Sequence, residues 1–128
     1  MNALAPAKMA QAAYGTSSVP VRTERGTEYA VFSRITRRMK SAAEQGCAGF
    51  PALAEALHEN RRLWTIIATD VSGEENKLPQ DLRARLFYLA EFTFQHTSKV
   101  LSDEEDVRPL IEINAAVMRG LAGDGGAS

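Results

Sequence analysis
The sequence predicts an all-α protein, a small bundle of four main helices preceded by a short N-terminal helical arm. Three observations predict it. Apolar residues recur at steps of three and four through four separate segments, the period of one helical face. No segment alternates polar and apolar residues with β-branched enrichment over strand length. Pro51, Pro79 and Pro109 each stand at the head of an apolar segment, where a missing N–H and a fixed φ suit a first helical turn. Connections of roughly four to eight residues between the segments favour antiparallel neighbours. With 128 residues, of which 45% are hydrophobic and 24% charged, the chain holds one core and needs no disulfide staples. Its expected organisation is an arm over residues 1–22, a helical domain over 23–121 and a disordered tail over 122–128.

Residues 3–14 are alanine-rich and predict a short helix. The breaker cluster at 15–20, Gly-Thr-Ser-Ser-Val-Pro, detaches it from the main helices. The first main helix runs from Thr23 or Thr27 to Gln45, with Tyr29, Phe32, Ile35, Met39 and Ala42 or Ala43 on one face and Gly46 suited to the C-terminal cap. Gly26 weighs against the earlier start. Arg34, Arg37, Arg38 and Lys40 occupy other faces of this helix and read as a solvated cationic side. The second helix, from Pro51 to about Val71, has the apolar stripe Leu53, Leu57, Trp64, Ile67 and Val71, interrupted by Asn60, while Glu55, Glu59 and Arg62 point away.

After a polar turn over 72–78, the third helix starts near Leu78. It carries two apolar rows, Leu82, Leu86, Leu89, Thr93 and Val100 beside Phe87, Ala90, Phe94 and Leu101. Two rows exceed what a surface helix needs, so this helix is expected at the centre. On that reading Leu89→Ala costs about 2 to 5 kcal/mol. The acidic run 103–106 supplies N-cap residues and favourable charge for the fourth helix. That helix turns Val107, Leu110, Ile111, Asn114, Val117, Met118 and Leu121 inward before a glycine-rich tail that is expected to fray.

Composition narrows the function classes. The single Cys47 reads as a free structural thiol in a reducing compartment. Pro6, Lys8 and Gln11 interrupt any signal-peptide core, and no apolar run approaches the roughly 18 residues of a membrane span. A cytoplasmic chain with no membrane contact is expected. Net charge is -1, yet residues 1–64 carry nine basic against five acidic side chains and residues 65–128 carry six against eleven. The chain is therefore a charge dipole along its length, with no general attraction to nucleic acid.

Catalysis needs convergent groups with definable roles, and the sequence supplies few. His58, in His-Glu-Asn-Arg-Arg, lacks the second histidine that a helical zinc motif places four residues on. The acids at 103–106 lack the alternating oxygen ligands and central glycine of a calcium loop. No glycine-rich phosphate loop or nucleophile motif is present. The expectation is a non-enzymatic binding protein without cofactor or metal. Trp64 is read as a core anchor or a contact residue. Asn60 and Asn114 sit in apolar stripes, where an unpaired amide costs about 1 to 3 kcal/mol, so each bonds within the fold or to something that docks.

Several blocks, in order, resemble the flagellar biosynthesis regulator FlaF family over nearly the whole chain. They are Ala13-Tyr14, Thr27-Glu28-Tyr29, Phe50-Pro51-Ala52-Leu53 with Ala56-Leu57, and Asn60-Arg61-Arg62-Leu63-Trp64. Asp70 with Asn76-Lys77-Leu78-Pro79, then Leu82-Arg83-Ala84, Leu89-Ala90-Glu91-Phe92, residues 96–101, Ile113-Asn114 and residues 116–121 complete the pattern. Glu24, where a proline is common, and Ser102-Asp103, in place of a glycine-containing turn, depart from it.

The resemblance implies a cytoplasmic, non-enzymatic factor needed for flagellin production and export, acting beside the regulator FlbT. A helical module without a catalytic site suits a secretion chaperone, because flagellin-type subunits keep terminal segments unfolded until assembly, and an amphipathic segment fits a helical groove. The alternatives are an RNA-binding regulator of flagellin message using the basic first helix, and a scaffold for FlbT or export machinery. The expected docking groove lies between the second and fourth helices. Asn60, Trp64, Asn114 and Met118 line it, Arg61 and Arg119 flank it, and the arm with Tyr14 acts as its lid.

Overall fold
Helices make up the regular structure of this protein because its apolar residues repeat at helical period and Pro51, Pro79 and Pro109 fall at the heads of these stripes rather than within them. The computed structural model describes the backbone of residues 18–127 and the side chains of residues 28–121. It contains α1 (Ser18–Ala43), α2 (Phe50–Ser72), α3 (Gln80–Leu101) and α4 (Arg108–Ala127), with a 3₁₀ turn over Gly46–Gly49 and no strand among the described residues. The fold is all-α with four main helices, as the sequence predicts. The expected arm helix over 3–14 lies outside the described residues.

Pro51, Pro79 and Pro109 stand where a helix tolerates them. Pro51 is the second residue of α2 and Pro109 the second of α4, and the Pro79 carbonyl accepts the Arg83 N–H at 3.0 Å to start α3. Two boundaries differ from the sequence reading. α1 is already helical at Ser18, the first described residue, ahead of Thr23. The weak glycine penalty at Gly26 does not stop the helix. α4 extends to Ala127, beyond the expected end at residue 121, since no proline interrupts it.

The chain divides into two compact units. One takes Arg62–Phe92 with the start of α1 as far as Glu28; the other takes Tyr29–Arg61 with the chain from Thr93 onward. In the first unit Leu63, Trp64, Ile67 and Val71 of α2 and Ala90 of α3 are buried. The second unit contains segments of all four helices and buries Phe32, Ile35, Met39, Ala42, Ala56, Leu57, Val100, Val107 and Leu110.

The expectation of a central third helix is corrected by these burials. Buried positions of α3 begin only at Ala90, followed by Thr93, His96, Thr97 and Val100, while Leu82 and Phe87 are exposed and Leu86 and Leu89 half-buried. Its two apolar rows are wider than the surface its neighbours cover. A half-exposed leucine forfeits less area, so Leu89→Ala is expected to lose about 1 to 2 kcal/mol. The fully buried Leu110 takes the larger loss, about 2 to 5 kcal/mol for Leu110→Ala. Urea unfolding of the two variants side by side checks this order.

The α3–α4 turn shows how the acidic run works. The Asp103 N–H bonds the Val100 carbonyl at 3.0 Å and the Glu104 N–H bonds the Lys99 carbonyl at 2.8 Å, the paired bonds of a Schellman cap. Asp103 holds the left-handed residue of that cap, with φ 63°. Asp106 Oδ1 accepts the Arg108 N–H at 2.9 Å and so caps α4. The buried His96 donates from Nε2 to the Asp106 carbonyl at 2.7 Å, tying α3 to the head of α4. A non-glycine residue at positive φ is strained, so Asp103→Gly should raise stability by about 1 kcal/mol in urea titration.

Candidate functional site
The two asparagines that interrupt the apolar stripes meet inside the second unit. Asn114 Nδ2, on α4, donates to Asn60 Oδ1 on α2 at 2.8 Å and to Thr36 Oγ1 on α1 at 3.1 Å. Both amides are completely buried, and Thr36 nearly so. The cluster fastens three helices through one side chain. Asn60 Nδ2 is also buried and makes no hydrogen bond with the described residues.

This arrangement corrects the expected groove. Asn60 and Asn114 face each other rather than an open channel, because each amide is the other's nearest means of escaping an unpaired state in an apolar interior. Trp64 is fully buried in the other unit, as a core anchor. Arg61 and Met118 are half-buried and Arg119 is exposed. Tyr14 lies outside the described residues, and with it the expected lid. Thr36 carries no signal in the sequence, where a threonine on an apolar stripe looks like any other helical position.

The basic side of α1 is partly neutralised. Arg34, Arg37, Arg38, Ser41 and Gln45 line an open cleft against Ala52 of α2. Arg38 pairs with Glu59 and lies 3.8 Å from Glu55, so two acids expected to point away instead meet α1. Such exposed pairs contribute at most about 1 kcal/mol each. Arg37 bonds Ser33 within its own helix.

The first unit has the opposite character. Tyr88 is 67% exposed, and Ile66, Leu82 and Phe87 are exposed as well. Beside them the α2–α3 turn is fixed by polar contacts. Asn76 donates from Nδ2 to Asp70 Oδ2 at 3.3 Å and accepts the Leu78 N–H on Oδ1 at 3.0 Å. Arg83 bonds the Gly73 carbonyl at 3.1 Å. A turn held at both ends gives the exposed apolar side chains a firm base. Among the described residues no group of three or more His, Cys, Asp or Glu side chains is placed to hold a metal ion, and no helix is long and apolar enough to cross a membrane.

The family pattern of flagellar protein FlaF matches residues 10–121. The chain belongs to the FlaF family. No curated protein and no solved structure matches it. The blocks that carry the resemblance to FlaF have physical roles here. Phe50-Pro51 opens α2, Asn60 and Asn114 form the buried amide pair, and Asp70, Asn76 and Arg83 build the α2–α3 turn. As a FlaF protein the chain is a flagellar protein.

Proposed function
We propose that this FlaF protein is a non-enzymatic, cytoplasmic chaperone that binds flagellin and promotes its synthesis and export, in company with FlbT. The supporting observation is the exposed apolar surface of the first unit, carried by Ile66, Leu82, Phe87 and Tyr88 on α2 and α3. Large apolar side chains held on firm helices offer an amphipathic segment a surface on which to bury its own apolar face. Covering such a segment keeps flagellin from polymerising before export. The buried amides contribute by fixing the helices, and need no cofactor.

Calorimetric titration with flagellin tests the reading. Phe87→Ala with Tyr88→Ala is expected to weaken binding about tenfold or more, as loss of aromatic contact residues does, while the fold persists. Wild-type affinity in that variant removes the surface from the proposal. The second reading, direct binding of flagellin message, draws on the cleft lined by Arg34, Arg37 and Arg38. Phosphate binding falls steeply with salt as counterions are released, whereas burial of an apolar segment changes far less. Arg34→Ala with Arg37→Ala should therefore leave flagellin binding intact; loss of message binding in a protein that never bound flagellin would favour the second reading.

A further inference from the structure
Each of the four helices places a buried polar side chain in the second unit: Thr36 on α1, Asn60 on α2, Thr93 and Thr97 on α3, and Asn114 on α4. They share a level. Asn114 bonds Asn60 and Thr36 directly. The His96 bond to the Asp106 carbonyl folds the head of α4 back against the last turns of α3. At the helical rise, Asn114 lies about 9 Å into α4 from Arg108 and Thr93 about 12 Å before the end of α3 at Leu101, which brings the two to similar heights.

Two groups of this layer are left over when its hydrogen bonds are assigned. The Asn114 amide has two N–H donors and spends them on Asn60 Oδ1 and Thr36 Oγ1. Asn60 therefore turns its oxygen to Asn114 and its Nδ2 group elsewhere. That Nδ2 and Thr93 Oγ1 are both fully buried, and they bond neither each other nor any other described residue. Thr97, one turn further along α3, satisfies its hydroxyl by donating to the Thr93 carbonyl. The Thr93 hydroxyl makes no such bond to its own helix.

We infer that one buried water molecule joins Asn60 Nδ2 to Thr93 Oγ1, and so ties α3 to the three helices that Asn114 already fastens. Water is the ligand these two atoms select. It accepts the Asn60 N–H, donates to the threonine oxygen, and spans polar atoms that do not bond directly. A neutral amide and a neutral hydroxyl, in a unit whose fully buried side chains include Met39, Leu57 and Leu110, offer an ion no counter-charge. The link matters most to α3. From Thr93 onward its buried positions are Thr93, His96, Thr97 and Val100, of which Val100 alone is apolar. Polar bonds therefore carry a large part of the attachment of this half of the helix, His96 near its end and the water at the level of Thr93.

The test uses the full chain and needs no partner, so it stands apart from flagellin binding. In nuclear magnetic resonance of nitrogen-labelled protein, the Asn60 side-chain amide should show a cross-peak to a long-lived water. The peak should vanish in Thr93→Val and persist in Thr93→Ser, which keeps the hydroxyl. Thr93→Val should also lower the folding equilibrium constant about tenfold, because a satisfied buried hydroxyl is lost and Asn60 Nδ2 is stranded. A hydroxyl that was unpaired in the parent would give an unchanged or higher constant when a methyl group replaces it, and that result overturns the inference. So does the absence of the water peak in the parent, or its persistence in Thr93→Val. Should Thr93→Val fail to fold, a high-resolution crystal structure of the parent decides: a water within hydrogen-bond distance of both atoms supports the inference, and a direct Asn60–Thr93 bond or a dry core overturns it.

Discussion

Gly49→Ala is expected to destabilise the protein by about 3 kcal/mol or more, the upper end of what overpacking costs. A Cβ built on Gly49 falls 2.1 Å from the Ala42 carbonyl oxygen, 3.1 Å from its carbon and 2.9 Å from Gln45 Cβ. Ordinary contact between non-bonded carbon atoms begins near 3.5 Å. The nearest atom is a backbone oxygen of the last turn of α1, which cannot rotate out of the way as a side chain does. Gly49 closes the 3₁₀ turn between α1 and α2 and is itself buried, so a methyl group forces the whole corner open. Gly120→Ala is the matched control: a Cβ there meets nothing within 4 Å, in the middle of α4. Alanine is the better helix former by about 1 kcal/mol, so that variant should gain stability. Equal urea midpoints for Gly49→Ala and the parent would show that the corner is looser than its geometry.

The four helices were legible because their signals are local. Stripes of period 3.6 and prolines at helix heads depend on residues a few positions apart, and α2, α3 and α4 begin within two residues of where those signals put them. The acidic run also yielded its N-cap, with Asp106 performing it. Coverage was less legible. The two apolar rows of α3 show how much surface the helix offers, but whether Leu82 and Leu89 are covered depends on partners far away in the chain. Gly49 gave no signal either, since the strain that requires glycine comes from the approach of Ala42 seven residues earlier around a tight corner. The candidate site was half legible. Polar interruptions marked Asn60 and Asn114 as residues needing partners, yet nothing local reveals that each is the other's partner, 54 positions apart.

Asn114→Ala should lower stability by about 3 kcal/mol, because it removes the hydrogen bonds to Asn60 and Thr36, strands buried partners and leaves a void. The corresponding fall in melting temperature is about 10 °C for a domain of this size. Asn114 is the donor to both Asn60 and Thr36, so its loss leaves the Asn60 carbonyl oxygen without that bond in an apolar interior. Asn60→Ala is expected to cost less. It breaks the bond to Asn114 and at the same time removes a buried N–H group that makes no hydrogen bond with the described residues. The double variant should be milder than the sum of the two, since the second truncation removes the group stranded by the first; contacting residues commonly couple by about 0.5 to 3 kcal/mol. Flagellin titration distinguishes this structural role from the docking role that the stripe pattern suggested. A docking asparagine gives weakened binding at an unchanged melting temperature, whereas the buried pair gives a lowered melting temperature with affinity preserved in the molecules that remain folded. Additive losses in the double variant would show that the two amides act independently, and a normal melting temperature for Asn114→Ala would return the pair to the surface.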